Sequence, residues 1–147
     1  MLGIRTPENF NAPYLSGNLS EFWQRWHMTF SSFLRMYVFK PSIAFYNWIF
    51  GSKYRTLISV LGYLTTFTLC GIWHGDTLNF VYWGLWHGVG LSVYKLWGTY
   101  IKPRLRLPDN GIMTFFATLL TFLYVTVGWL FFHYNTEQLS DIFALFA

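Results

Sequence analysis

Three stretches of the sequence contain no charged residue and are each about as long as a membrane-crossing helix. They are residues 56–73, 77–94 and 112–132. An α-helix needs about 20 predominantly apolar residues to cross the ~30 Å hydrocarbon core of a bilayer. The third run predicts a crossing most strongly, whereas glycines in the first two would allow them to tilt, break or re-enter. The sequence therefore predicts an all-α, polytopic transmembrane protein with about three membrane-embedded helices.

The chain before these runs is more polar and predicts two different kinds of structure. Residues 1–20 contain proline, glycine and asparagine, which predict a loop. In residues 21–40 aromatic side chains recur at steps of three and four, which predicts an amphipathic helix in the membrane interface. Ser20 is its expected N-cap, and Pro41 is expected to end it. Residues 42–55 then predict an interfacial helix or turn.

Composition and charge support a membrane protein and disfavour nucleic acid as a partner. Charged residues make up 11% of the chain, against about 25% in a typical soluble domain. The 147 residues allow one domain at most, and the net charge of +4 comes from basic residues that flank the apolar runs. Anionic membrane lipid is therefore the expected partner. The positive-inside rule places the basic segments in the cytoplasm, and the turn at 74–76 and the C-terminus outside.

His74 ends the first apolar run, where Gly71 and Gly75 bracket a Trp-His pair. An ionisable group in a membrane segment is costly and usually functional, and glycines allow a substrate to approach the backbone closely. The alternative is a helix-terminal histidine that meets solvent and pairs with Asp76. The residues alone favour a functional role over this alternative.

Two further histidines have competing interpretations. His27 lies in the amphipathic segment, either as an interfacial residue beside tryptophan and arginine or as a polar group facing a buried cavity. His87 lies in the middle of the second run, between Gly84 and Gly88. These glycines form a GxxxG pattern, which is typical of closely packed membrane helices. Helix packing is therefore slightly favoured over chemistry for His87.

The histidine spacings match no metal-ligand template, and no metal site is predicted. A nucleophilic-serine elbow and a glycine-rich phosphate loop are also absent from the sequence. The remaining candidate is a histidine base without a protein nucleophile. Such a site fits direct transfer between two substrates: the histidine takes a proton from a substrate hydroxyl, and that hydroxyl attacks an activated carbonyl. A proton or ion channel is a further alternative, which is disfavoured because no acidic relay lies inside the apolar runs.

Several motifs in a fixed order together resemble those of the membrane-bound O-acyltransferases. The similarity covers essentially the whole chain, and it is greatest to the alginate O-acetyltransferase and teichoic-acid D-alanyl transferase branch. The motifs are PENFN at 7–11, FWQRWH at 22–27, GIWHG at 71–75, LWHG at 85–88 and the tail at 121–143.

The resemblance implies roles for particular residues. His74 matches the family's invariant histidine, which implies a general base in a membrane-embedded tunnel, and His27 matches a second histidine that lines the same chamber. The neighbouring motif residues are tunnel candidates: Trp73, Asn79, Trp23, Arg25 and His87.

The resemblance also implies the substrates and the location. The expected donor is a cytoplasmic thioester, either acetyl-CoA or another acyl-CoA or a carrier-protein thioester, with no bound cofactor. The expected acceptor is a hydroxyl of an exported polysaccharide or another cell-envelope polymer. Other cell-envelope acetylation proteins are possible partners, and the expected location is the inner (cytoplasmic) membrane as a multi-pass protein.

The chain departs from the family pattern in two ways. The family usually has an acidic residue after the Leu-Arg pair that follows the RWH motif, whereas this chain has Met36 after Arg35. Family members also carry more membrane helices before the PENFN motif. We therefore interpret residues 1–147 as the C-terminal part of such a domain, with an inactive fragment or a non-enzymatic membrane scaffold subunit as the alternative.

Overall fold

A computed structural model describes residues 6–105, 108 and 110–145 of the chain. Within those residues the regular secondary structure is entirely helical, which confirms the all-α prediction. The α-helices are α1 (Leu19–Arg25), α2 (Met28–Leu34), α3 (Lys40–Phe50), α4 (Arg55–His74), α5 (Leu78–Leu96), α6 (Lys102–Leu105), α7 (Gly111–His133) and α8 (Thr136–Ala144).

Helices α4 and α5 form an antiparallel hairpin that makes up the centre of the fold. Two glycines allow the backbones to touch. A Cβ on Gly71 would lie 2.2 Å from the carbonyl oxygen of Phe80, and one on Gly84 would lie 2.2 Å from that of Phe67. Small residues permit such close approach between membrane helices. The glycines therefore allow α4 and α5 to pack closely, and both runs form continuous helices.

Helix α7 is fastened to α5 by a reciprocal pair of hydrogen bonds. The Trp86 indole N–H donates to the Tyr124 carbonyl at 3.0 Å, and the Tyr124 hydroxyl donates to the Trp86 carbonyl at 2.5 Å. The two rings also stack, with their centroids 4.5 Å apart. Because each residue supplies both a donor and an acceptor, this contact fixes the register of α7 on α5.

Two helical segments are long and apolar enough to cross a membrane: Ser52–His74 and Gly111–His133. They coincide with the first and third predicted runs. The second run also forms a helix, α5, but its sequence is not apolar enough to meet the same criterion. It is instead the most enclosed helix, with His87 and Asn79 among its buried residues. Two of the three predicted membrane helices are therefore candidate spans.

The predicted helix at 21–40 is wrong as a single element. The chain forms α1, breaks at Trp26 and His27, and resumes as α2. The Asn18 side chain caps α1 by accepting the Glu21 N–H at 2.9 Å, so the prediction of Ser20 as N-cap is also wrong. Asparagine is among the strongest N-cap residues, and its position starts the helix two residues earlier than expected.

Pro41 does not end the helical segment, contrary to expectation. The preceding residues, Arg35–Phe39, form a π-helical turn in which the Lys40 N–H donates to the Arg35 carbonyl. In a regular α-helix the proline ring clashes with the carbonyl four residues earlier. The wider turn removes that clash, so α3 continues through residue 50. The segment Trp97–Ile101 does the same before Lys102 and its following proline.

The predicted loop at 1–20 is confirmed for residues 6–18, whereas residues 19 and 20 belong to α1. Residues 6–18 lie outside the α-helices and include a short 3-10 turn at Pro13–Leu15. Residues 1–5 lie outside the described residues. The loop packs back over α1 and α2, where it takes part in the candidate site.

Candidate functional site

His74 is the last residue of α4 and is enclosed by aromatic rings from three other helices. The ring centroids of Trp83 on α5 and Phe132 on α7 lie 5.1 and 5.2 Å from the imidazole, both edge-on. Phe30 on α2 lies 6.4 Å away. The imidazole is only partly buried. His74 therefore sits in an apolar, ring-lined recess that remains open on one side.

His27 lies in the break between α1 and α2 and has a backbone conformation that is rare for a non-glycine residue. Its φ is 42° and its ψ is 56°, in the left-handed region. Such conformations cost about 1–3 kcal/mol and cluster at functional sites. The imidazole is exposed and packs on Phe10 and Phe30, with centroid distances of 6.0 and 5.3 Å.

Phe30 brings the two histidines together. Its ring contacts His27 in the break before α2 and His74 at the end of α4, and it also packs on Trp73 at 5.0 Å. Trp73 in turn packs edge-on against His74 at 4.9 Å. Two histidines that are far apart in the sequence thus face one aromatic site, which we call the histidine site (His27, Phe30, Trp73 and His74).

Asn9 of the PENFN segment holds the break that carries His27. Its carbonyl accepts the Met28 N–H at 2.9 Å, and its side-chain oxygen accepts the Thr29 N–H at 3.1 Å. The first N–H groups of a helix have no partner within it and are usually satisfied by the N-cap side chain. His27 occupies the N-cap position but makes no such bond. Because Asn9 does the capping, the imidazole of His27 is left free.

Replacing Asn9 by Ala should loosen this break and lower the free energy of unfolding by about 1 kcal/mol, the usual cost of losing a helix cap. Thermal unfolding of the purified chain in detergent measures the change. Asn135→Ala is the matched control, because Asn135 caps α8 with its side chain, which accepts the Gln138 N–H at 2.9 Å. Both variants should be destabilised, but only Asn9→Ala should change the chemical shifts of the His27 ring. Unchanged His27 shifts would contradict the capping role.

A second cluster of polar rings lies deeper in the fold, behind the histidine site. His87 is fully buried, and its ring lies 5.0 Å from Trp23 and 5.1 Å from Trp83. Trp83 is the link between the two groups, because it contacts both His87 and His74. The predicted tunnel candidates Trp23 and His87 therefore contact each other, and the ring of Trp83 separates them from His74.

The remaining predicted residues are arranged in three ways. Trp73 lies at the histidine site but is 69% exposed. Arg25 is ion-paired with Glu21 at 2.6 Å. Asn79 is buried in the first turn of α5. In the described part of the chain Asp76 forms no ion pair with His74, but His74 is the last residue of α4 and is partly exposed, as the helix-terminal alternative expects.

The described residues contain no group of three potential metal ligands. The histidine site instead offers a nitrogen base in an apolar recess, with a second imidazole nearby. A neutral imidazole can accept a proton from a hydroxyl group, and a second one can donate a hydrogen bond to a developing charge. This arrangement suits proton transfer coupled to attack by a hydroxyl.

A sequence profile described as "MBOAT, membrane-bound O-acyltransferase family" matches residues 1–135, which is most of the chain. The chain belongs to the membrane-bound O-acyltransferase family. The match includes both histidines of the histidine site and the segment that caps α2. The resemblance of the ordered motifs is therefore confirmed at the level of the family.

Curated members of this family with similar sequences include three bacterial enzymes that act on different polymers. A teichoic acid D-alanyltransferase of Bacillus subtilis is 37% identical over 90% of this chain and 33% of its own length. A probable alginate O-acetylase of Pseudomonas aeruginosa is 34% identical over 95% of this chain and 24% of its own. A peptidoglycan O-acetyltransferase of Helicobacter pylori is 34% identical over 88% and 22%. The chain thus spans about a fifth to a third of these relatives.

Three residues that shape the site of this O-acyltransferase family member were not predicted from the sequence. They are Asn9, Phe30 and Trp83. The PENFN motif was used to recognise the family, but its capping role depends on a contact across 20 residues. Phe30 and Trp83 occur in aromatic patterns that are indistinguishable from ordinary packing residues. Only the three-dimensional arrangement shows that these rings touch the histidines.

Proposed function

We propose that this chain carries the reaction centre of a membrane O-acyltransferase that moves an acyl group from a thioester to a hydroxyl of a cell-envelope polymer. The observation that carries the proposal is the meeting of His27 and His74 at Phe30. The named relatives all transfer acyl groups to such polymers, which supports the same class of reaction here. We place the reaction at the inner (cytoplasmic) membrane, with the donor on the cytoplasmic side.

In this proposal His74 is the general base. Its imidazole takes the proton of the acceptor hydroxyl while the hydroxyl oxygen attacks the thioester carbonyl carbon. A carbon–oxygen bond forms, the carbon–sulfur bond breaks, and the thiolate leaves with the proton that His74 had accepted. His27 donates a hydrogen bond to the polarised carbonyl oxygen. The aromatic walls shield the closed sides of the recess from water, which competes with the polymer as an acceptor.

The alternative function is a non-enzymatic membrane subunit that assembles with other helices. It is favoured by the surface of α7, where large apolar side chains such as Leu120 and Ile112 are 70% and 67% exposed. Such a surface suits lipid or another helix equally well. The two functions differ in one respect: a scaffold does not need the imidazoles of His27 and His74.

The test is acyl transfer by membranes that contain the chain, measured as radiolabel passed from an acetyl thioester to a purified acceptor polysaccharide. His27→Asn and His27→Gly both tolerate the left-handed backbone. They should lower the transfer rate by about 10²-fold, which is the usual effect of losing a hydrogen-bond donor to a developing oxyanion.

Ala12→Gly is the matched control, because Ala12 is the other non-glycine residue with a left-handed backbone among the described residues, at φ 43°. That variant should transfer at the wild-type rate. Equal transfer by wild type and both His27 variants would contradict a role for the imidazole. Absence of transfer by the wild-type chain, with correct membrane insertion, would favour the scaffold.

A further inference from the structure

His87 lies on α5 at the point where α1, α4 and α7 all approach that helix. Its ring packs edge-on against Trp23 of α1, with the centroids 5.0 Å apart, and is tilted against Phe67 of α4 at 6.1 Å. On the side of α7, a Cβ added to Gly128 would lie 3.0 Å from His87 Nε2, so the glycine leaves room for the imidazole. The ring is therefore enclosed by three other helices.

Five buried side-chain nitrogen or oxygen atoms have no hydrogen-bond partner within the described part of the chain. They are Ser16 Oγ, Trp23 Nε1, Trp83 Nε1, His87 Nδ1 and Trp129 Nε1. Three of the five belong to rings that contact one another, those of Trp23, Trp83 and His87. These residues are only 8%, 3% and 2% exposed. We call Trp23 Nε1, Trp83 Nε1 and His87 Nδ1 the buried nitrogen cluster.

The buried nitrogen cluster needs hydrogen-bond partners that the other described residues do not supply. An indole N–H can only donate, whereas His87 Nδ1 accepts when the imidazole carries its proton on Nε2. Burying such groups without a partner is unfavourable, and folded proteins usually satisfy them with protein groups or ordered water. A buried water typically makes about three hydrogen bonds. The cluster therefore offers as many partners as one buried water uses.

The spacing of the three rings suits one shared water molecule. A hydrogen bond between a ring nitrogen and a water oxygen is about 3 Å long, so one water can bridge atoms up to about 6 Å apart. The centroids of the three rings are 5.0, 5.1 and 6.0 Å apart. A water oxygen can accept from both indole N–H groups while one of its own hydrogens is donated to His87 Nδ1.

We propose that Trp23, Trp83 and His87 bind one internal water molecule, and that this water, by holding the indole of Trp83, makes His87 a positioning residue for His74. Trp83 contacts both histidines, each at a centroid distance of 5.1 Å. A fixed indole restricts the orientations that the imidazole of His74 can adopt, which favours a reactive geometry. The positioning role rests on the proposed function, whereas the water site does not.

The water site is tested by NMR of the detergent-solubilised chain labelled with nitrogen-15 tryptophan. Single Trp→Phe replacements assign the indole signals of the eight tryptophans. The indole protons of Trp23 and Trp83 should show cross-peaks to a long-lived water molecule. Trp86 is the internal control, because its indole N–H donates to the Tyr124 carbonyl at 3.0 Å and should show no such cross-peak.

The competing arrangement is an indole N–H that donates to the face of a neighbouring aromatic ring. The edge-on packing of Trp23 against Trp83 and His87 is compatible with such a contact. It would move the indole proton signal upfield and would give no cross-peak to water. Absence of water cross-peaks at both Trp23 and Trp83 in the wild type would overturn the inference.

Variants of His87 test whether its nitrogen takes part in the water site. His87→Leu has a similar volume but no ring nitrogen, and it should abolish both cross-peaks. His87→Asn should retain them, because its Oδ1 is as many bonds from the backbone as Nδ1 and can also accept from water. Ser92→Ala is the matched control, since Ser92 is also buried on α5 but already donates to the Gly88 carbonyl at 2.7 Å. A His87→Leu variant with both cross-peaks intact would overturn the inference.

The positioning role is tested by acyl transfer with the same variants. His87→Leu should lower kcat by about 10²-fold, the effect of misplacing a reacting group by about 1 Å, and leave the KM for the thioester unchanged. His87→Asn should recover most of the rate, and Ser92→Ala should equal the wild type. An unchanged kcat in His87→Leu would overturn the positioning role. Water cross-peaks that disappear in His87→Leu, in a chain without acyl transfer, would support the water site and reject the proposed function.

Discussion

His74→Gln should lower the rate of acyl transfer by about 10²–10⁴-fold, the contribution of a well-positioned general base. Glutamine has a similar size and can still form hydrogen bonds, but it cannot take up a proton from a hydroxyl group. The ring-lined recess around His74 should remain intact, because its walls come from Trp83, Phe132 and Phe30. The loss should therefore appear in kcat rather than in folding.

The measurement is label transfer by membranes that hold equal amounts of the inserted chain. His133→Gln serves as the matched control, since His133 is an exposed histidine at the end of α7. It should transfer at the wild-type rate. A His74→Gln variant that transferred as fast as the wild type would exclude His74 as the base, whatever the behaviour of His27.

Gly84→Ala should separate α4 from α5 and lower the free energy of unfolding by about 1–3 kcal/mol, the usual cost of overpacking. The added methyl group would lie 2.2 Å from the carbonyl oxygen of Phe67, which is backbone and cannot rotate away. The hairpin would have to open. Since α4 carries His74 and α5 carries Trp83, transfer activity should fall along with stability.

Gly71→Ala should have a similar effect, because its methyl group would lie 2.2 Å from the carbonyl oxygen of Phe80 on the same interface. The double variant should cost less than the sum, because one separation of the helices relieves both clashes. Gly98→Ala is the control, with no atom within 4 Å of its added Cβ. Thermal unfolding in detergent measures all four proteins. A Gly84→Ala variant as stable as Gly98→Ala would refute the close contact.

The ends of the long helices were predictable because the sequence marks them. The first run was predicted at 56–73 and the helix spans Arg55–His74. A basic residue precedes the run, and a Gly-Asp pair follows it. The third run was likewise predicted to within one residue at each end. In both cases charged, glycine or asparagine residues interrupt the apolar pattern where the helix ends.

The break at His27 was not predictable from local pattern. Aromatic residues continue at helical spacing through residues 22–37, so the periodicity indicates one helix. The chain nevertheless breaks, because the N–H groups of Met28 and Thr29 are satisfied by Asn9 instead of by the preceding turn. A contact between distant residues overrides the local preference here. The roles of His27 and His74 themselves stay predictions that rest on their matching motifs.

The π-helical turn at Arg35–Phe39 has a consequence for the direction in which side chains point. One extra residue in a helical turn rotates the side chains of all following residues by about 100° around the helix axis, relative to a regular α-helix. Arg35 at the start of this turn and Phe39 at its end both line a cavity between α1, α2 and α4, and Phe39 also packs with Ile43 against Gly62 of α4. Deleting one residue from this segment would swing α3 about a third of the way around its axis. The number of residues between Arg35 and Pro41 thus determines which face of α3 packs against α4.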